Sequence, residues 1–519
     1  MRARFLDRLR NEAGYTMVGV MILLLVGSLF SVAAFSAANN DIPQTKKDKD
    51  RKLAYAAAES GLNYYLFRLA KDNAYWTNCD QVAAPNATDP NPVNIDGAST
   101  LRWRKVQGTN TDYAIELIRQ NGATTCTTGA GAAGSLIDSS SGTLQVRSTG
   151  RSGNVRRSVV GTLRRSGFLD YLYFTDLETT DPIVYQISDP SEATWAAANC
   201  LTYRRAGRPS RCSGIVFASD DSIAGPFHTN DDFLACGTPT FGRNTNDAIE
   251  VSSPNPGYYA GCGGTANPDF KGSFKTNASI LTMPSSNASI ASVALPGYSF
   301  TGRTQITLSG STMTVINNST TQTKALPSNG VIYVKNGTCG TTYNIQQDYS
   351  NPAGCADVSV KGTYSSSLTI ASENDIIANG NITKTGNVVL GLVANNFVRV
   401  YHPVTRSSNS CSNASTGLYG SALGNVTIEA AILTLQHSFI VDNYNCGSPL
   451  GTLTVNGAIA QKFRGPVGTG GSSISTGYIK DYNYDDRFKV VNPPYFLDPL
   501  QSSWRKIRYT EQVPARAGG

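Results

Sequence analysis

Charge is scarce in this chain. Acidic and basic side chains fill 16% of its 519 positions, against about 25% in an ordinary globular protein. Ser, Thr, Asn and 49 Gly take the vacated places. These residues form turns readily and helices poorly, so the shortage argues against a helix bundle and for a strand- and turn-rich body. Histidine is scarcer still, with only His228, His402 and His437. The chain also lacks C-x-x-C, H-E-x-x-H, G-x-S-x-G, G-x-x-x-x-G-K-[ST] and an EF-hand loop, which removes the common zinc, hydrolase, nucleotide and calcium patterns. A net charge of +7 is spread thinly. No Lys/Arg stripe interleaved with aromatics is present, so no nucleic-acid partner is expected. No catalytic residue, metal ligand or cofactor-binding residue is assigned.

What the chain does contain begins at its N-terminus. Residues 13–40 carry no charged side chain, and 17–38 are largely apolar. At 1.5 Å per residue that run spans a bilayer core of about 30 Å. The Arg2, Arg4, Arg8 and Arg10 cluster before it belongs on the cytoplasmic side. The run exceeds the usual 7–15 residues of a signal-peptide core, and no clear A-x-A site ends it.

Ten cysteines follow: Cys79, Cys126, Cys200, Cys212, Cys236, Cys262, Cys339, Cys355, Cys411 and Cys446. An even count behind an export segment reads as disulfides made in an oxidising compartment. Sequence alone does not fix connectivity. Pairing neighbours (79–126, 200–212, 236–262, 339–355, 411–446) closes the shortest loops, and buried free thiols are the alternative.

The stretch Asn11-Glu12-Ala13-Gly14-Tyr15-Thr16-Met17-Val18 joins a short basic leader, a Gly, an aromatic residue and a continuous apolar helix. It resembles the signal of type IV pilin-like proteins. That resemblance implies cleavage by prepilin peptidase between Gly14 and Tyr15, and methylation of Tyr15 as the new N-terminus. It also implies a retained helix that anchors the subunit and then packs in a filament core. Further on, Leu53-Ala54-Tyr55-Ala56-Ala57-Ala58-Glu59-Ser60-Gly61-Leu62 resembles the A-x-x-A-A-E-x-G-L stretch of PilX-type minor pilins. Major pilins carry Glu at the fifth mature position, where this chain has Gly19, which points to a minor, tip-located or initiating subunit. The resemblance covers roughly the first 70 residues.

Between the two stretches, Asn39-Asn40-Asp41-Ile42-Pro43 is expected to act as a flexible joint. Residues 44–72 then show apolar positions at three- and four-residue spacing, an amphipathic helix. Strand patterns at 100–106, 111–119, 143–149 and 155–164 predict a small antiparallel sheet packed on that helix. From about 180 to 460, short β-branched runs return every six to ten residues between Asn, Gly and Ser turns. Stacked coils of a parallel β-helix would bury such runs as one column; a β-sandwich is the alternative. The tail from 461 is rich in aromatics and prolines and reads as a cap over an open end of the stack. A surface for sugar or a partner is the sharper alternative.

The expected fold is therefore α+β and mostly β. It divides into leader 1–14, membrane helix 15–40, docking helix 41–75, small head 76–165, β-rich domain 166–460 and cap 461–519. Gly225-Pro226-Phe227-His228-Thr229-Asn230-Asp231-Asp232 places an imidazole near carboxylates, but a turn capped by Asn and Asp explains it without a metal. The expected role is a non-enzymatic pilus-assembly or adhesion subunit of the bacterial inner membrane and cell surface. Its partners would be other pilin subunits, the assembly machinery, prepilin peptidase, the membrane and, as one candidate, surface glycans. The rivals are a membrane-anchored enzyme acting on envelope polysaccharide and an adhesin that never polymerises.

Overall fold

The computed structural model describes residues 13–72, 74–78, 90–120, 126, 135–138, 141–187, 189–340, 353–407, 410–470, 473–500 and 504–517. Within these, the side chains at 13–16, 37–42, 186, 187 and 190 lie outside the description. A long N-terminal helix is followed by a large strand-rich region with mixed sheets. The helix, α1, runs from Ala13 to Lys71 without interruption. The joint expected at 39–43 is thus helical backbone, with Pro43 inside the helix. Proline there removes one backbone hydrogen bond, and the helix continues on both sides of it.

The lower part of α1 packs on a six-stranded sheet, the head. Its strands are β1 (Val93–Ile95), β2 (Arg104–Lys105), β3 (Thr111–Leu117), β4 (Thr143–Ser152) and β5 (Val155–Arg165), and the sixth is the C-terminal strand Trp504–Gln512. β1 pairs parallel to β3, whereas β3, β4, β5 and the C-terminal strand pair antiparallel. Ala58, Leu62, Tyr65 and Leu69 of α1 join Ile115, Val146, Val159 and Trp504 in a core separate from that of the rest of the chain.

Close approach of helix and sheet is possible because glycines line the seam. A Cβ on Gly150 would lie 2.0 Å from the Ala54 carbonyl oxygen and 2.4 Å from the Ala58 nitrogen. One on Gly61 would meet the Ser148 hydroxyl and the Tyr113 ring. Ala54, Ala57, Ala58, Gly61 and Leu62 of the A-x-x-A-A-E-x-G-L stretch are therefore on the packing face of the helix.

Everything between β5 and the C-terminal strand is inserted into this sheet. It begins with β6 (Tyr173–Thr180) and stacks as parallel ladders. One ladder runs through Ser299–Thr301, Val331–Lys335, Leu368–Ser372, Leu390–Ala394, Ala431–Thr434, Pro449–Arg464, β6, Phe227–Thr229, Ala248–Val251 and Ser273–Lys275. A second runs beside it from Thr304–Gly310 to Asp269–Phe270. A short third ladder joins Val216–Phe217, Phe233–Ala235 and Tyr258–Ala260.

Spatial order differs from chain order. The first inserted strand, β6, lies mid-stack, with Tyr173 beside Ile459 on one side and Phe227 on the other. The chain winds from there to one end at 275, crosses to the far end at 299, and winds back to the middle by 484. The two halves are filled differently. Phe217, Phe227, Phe233 and Phe241 make a ring cluster with centroids 5.0–5.9 Å apart, while the core of the described residues between 331 and 460 is mostly Val, Ile, Leu and Ala, with Tyr333, Tyr364 and Phe439 among them. Corner asparagines link successive turns, as Asn396 donates to Asn374 at 2.5 Å and Asn374 to Asp357 at 2.6 Å.

Four neighbour pairs are bonded as disulfides: Cys200–Cys212, Cys236–Cys262, Cys339–Cys355 and Cys411–Cys446. Cys79, and with it the expected Cys79–Cys126 pairing, lies outside the described residues.

The tail does not behave as an end cap. Residues 474–484 form a strand inside the stack, 491–500 lie along its side, and Trp504–Gln512 completes the head sheet. The edge of β5 needs a hydrogen-bonding partner, and the returning chain provides it.

Candidate functional site

Two surfaces stand out: the free half of α1 and the seam where stack meets head. Met17–Ser36 is a 20-residue span of mean hydropathy 2.5, none of it buried. Leu23, Phe30 and Phe35 are each more than 70% exposed. A soluble monomer rarely leaves a large apolar face open without a lipid or protein to cover it. The hydroxyls of Ser28 and Ser31 donate to the Leu25 and Gly27 carbonyls at 2.8 Å, so they do not oppose burial in an apolar medium. Gly14 and Tyr15 fall in the first turn of α1, with side chains outside the described residues, and the leader 1–12 lies outside them altogether. Gly19 has nothing within 4 Å of its missing side chain.

Farther down α1, Glu59 points outward and accepts a hydrogen bond from the Tyr509 hydroxyl at 3.0 Å. Burial, with hydrogen bonds to Tyr55 and Glu59, pushes the Tyr509 phenol well up. Tyr509 thereby ties the C-terminal strand to α1, beside the burial of Trp504 in the head core.

The His228 segment is internal. His228 is buried, with Nε2 3.2 Å from Asn230 Oδ1 and Nδ1 3.4 Å from Glu250 Oε2. Glu250 Oε2 also accepts from the Tyr171 hydroxyl at 2.7 Å. The hydrogen bond from His228, then that from Tyr171, holds the Glu250 carboxyl at about 2 despite partial burial. Asp231 accepts from the backbone nitrogens of Glu178 and Arg204 and pairs with Arg208. Burial pushes the Asp232 carboxyl up. His402 bridges Asn413 and the Asp442 carbonyl, and His437 sits against Asp181 at 3.1 Å. Among the described residues no group of three His, Cys, Asp or Glu side chains is disposed to hold a metal.

Deeper in the stack, Arg399 is fully buried between Asp375 at 2.8 Å and Asp442 at 2.5 Å. Burial drives the Asp375 carboxyl up while Arg399 pulls it down.

Among the described residues, two clefts lie between stack and head. One, of about 580 Å³, is lined by Asp170, Tyr171, Glu250, Lys275, Lys489 and Lys506 among others. The other, of about 600 Å³, lies between Ile137 and Arg165 of the head, the 284–293 return segment and residues 492–500. Buried Arg164 crosses this seam to Asn492 Oδ1 at 2.7 Å. Sequence reasoning placed Lys489, 492–500 and 505–507 in the tail read as a cap or as a sugar or partner surface, and Pro226 in the His228 segment, but joined none of them to the other lining residues. They come from segments hundreds of positions apart, and no spacing rule brings them together.

No protein-family model matches the chain, and no curated protein does. Among solved structures the chain is similar to the competence-associated pilin ComZ from Thermus thermophilus, at 12% sequence identity, covering 90% of this chain and 98% of that one, with a TM-score of 0.30. A likeness of that score assigns this chain no function.

Proposed function

We propose that the chain is a pilin-like surface subunit, held in the membrane by α1 and displaying a disulfide-linked, strand-rich module outside it. The observation that supports this best is the contrast within one helix: Met17–Ser36 is bare and apolar, while Ala54–Leu69 is clamped on the head sheet. On this reading prepilin peptidase cuts between Gly14 and Tyr15, and Tyr15 is then methylated. The free half of α1 first sits in the bilayer and later packs against other pilin subunits and the assembly machinery. Gly19 supplies no carboxylate for that packing, which suits a minor, tip or initiating subunit. The Asn-, Ser- and Thr-rich exterior serves pilus assembly or adhesion, with surface glycans as a partner class. On this reading the chain is a display subunit and not an enzyme.

Mass spectrometry of protein from native membranes is expected to find methylated Tyr15 first, and Gly14→Leu to leave the leader attached. A chain still starting at Met1, or one cut near Ala38, overturns the reading. Correct trimming with no protein in sheared filaments would instead identify an adhesin that does not polymerise.

A further inference from the structure

The second cleft, of about 600 Å³, falls within the range of small-ligand sites, a few hundred to about 1,000 Å³. The 137–142 turn and the end of β5 form one side of it, the 284–293 segment a second and residues 492–500 a third. Ile137, Ile290, Phe496 and Leu497 give it apolar walls. Tyr495, also in the lining, holds a left-handed backbone with φ 56°. That conformation is costly for a bulky residue, and such strain gathers at ligand clamps.

Three charged side chains line the cleft: Asp138, Arg165 and Asp498. Asp138 accepts from the Ser141 nitrogen at 2.9 Å. The other two are unspent. Arg165 Nε is buried without a hydrogen-bond partner, and the guanidinium carbon lies 5.7 Å from the centre of the Trp504 ring. Asp498 has neither a hydrogen bond nor an ion pair among the described residues. Burial pushes its carboxyl up, while Arg165, and then Arg164, pulls it down. A carboxylate and a guanidinium thus line one cleft, close enough to feel each other and too far apart to pair. Buried polar groups left in that state are rare in native proteins and call for a partner.

We propose that this cleft binds a short apolar peptide with both ends free, its ammonium on Asp498, its carboxylate on Arg165 and its side chains on the apolar walls. A phosphate would be repelled by Asp498 and Asp138, and a lone cation by Arg165 and Arg164. A neutral ligand would leave both charges unsatisfied. Binding does not depend on α1 entering a filament, so this inference and the preceding one fail separately.

The test titrates the purified full-length chain, in uncharged detergent, with dileucine, N-acetyl-dileucine, dileucine amide, diglycine and inorganic phosphate, read by calorimetry. Saturable binding of dileucine is expected. The acetylated and amidated forms should each bind about tenfold or more weakly, the scale of one charge-assisted hydrogen bond. Diglycine, with the same charges and no apolar side chain, should also be weaker. Asp498→Asn should erase the difference between dileucine and its acetylated form, and Arg165→Gln that between dileucine and its amide. Lys361→Ala, a charge change away from the cleft, should preserve both differences. Thermal unfolding establishes that each variant is folded; should either fail, the blocked peptides on the native chain still decide. No saturable binding, equal affinity for a blocked peptide or diglycine, phosphate binding as tight as dileucine, or differences that survive substitution in the folded variants would each overturn the proposal.

Discussion

Gly150 carries more structural weight than any side chain could at its position. Its α-carbon faces the backbone of α1, so a methyl group there meets the Ala54 carbonyl and the Ala58 nitrogen, neither of which can rotate away. Gly150→Ala is expected to cost at least the 1–3 kcal/mol typical of overpacking, about the upper end of that range. Gly424→Ala, with nothing within 4 Å, should be near neutral, and paired thermal melts of the two variants check this. Glu250 gives a second test at this scale. Its carboxyl sits at about 2 instead of its ordinary 4.5. A group depressed in the folded state stabilises above its unfolded value and surrenders that contribution as pH falls through the folded one. Urea unfolding between pH 4.5 and 2 should therefore show a steeper loss of stability in the native chain than in Glu250→Gln. Neither residue could be singled out from sequence. Gly150 sits in the Gly150-Arg151-Ser152-Gly153-Asn154 stretch, which reads as a hairpin signal; the hairpin forms there, with its turn at Gly153-Asn154 and β4 continuing through Ser152.

The strand pattern was legible where burial imposes alternation or a short apolar run. The runs at 111–119, 143–149 and 155–164 correspond to β3, β4 and β5, and those at 426–428 and 439–441 to strands of the stack. The C-terminal strand was not legible. Its pairing to β5 shifts register between Lys506 and Arg508, which breaks the period-two pattern on which recognition depends, and most of its side chains are exposed. The Asn-Asn-Asp-Ile-Pro segment misled in the opposite direction, since local turn chemistry yields to the helix on either side. Deleting 504–519 is expected to bare the β5 edge and remove the Tyr509–Glu59 bond. Hydrogen–deuterium exchange should then show lost protection in β5 and in the facing turns of α1, with the 331–460 column unchanged.

Head and stack have separate apolar cores, and the head sheet contains both strands that flank the insertion. Arg165 and Trp504 are register partners, so an Asn-Gly turn replacing 166–503 should close an ordinary hairpin. The shortened chain is expected to fold into helix plus six-stranded sheet, as read by circular dichroism and cooperative melting. Failure would mean that seam contacts such as Arg164–Asn492 are needed for the head to form. That layout was hidden from sequence, because parallel pairing between strands far apart in the chain leaves no local mark, and the mid-stack position of β6 leaves none either. Its mechanical consequence concerns tension. The 173–484 module enters and leaves beside one adjoining strand pair, so a tug transmitted along α1 passes through the small sheet alone. The larger body hangs off to the side like a pendant on a clasp, and it need not stretch when the tether is pulled taut.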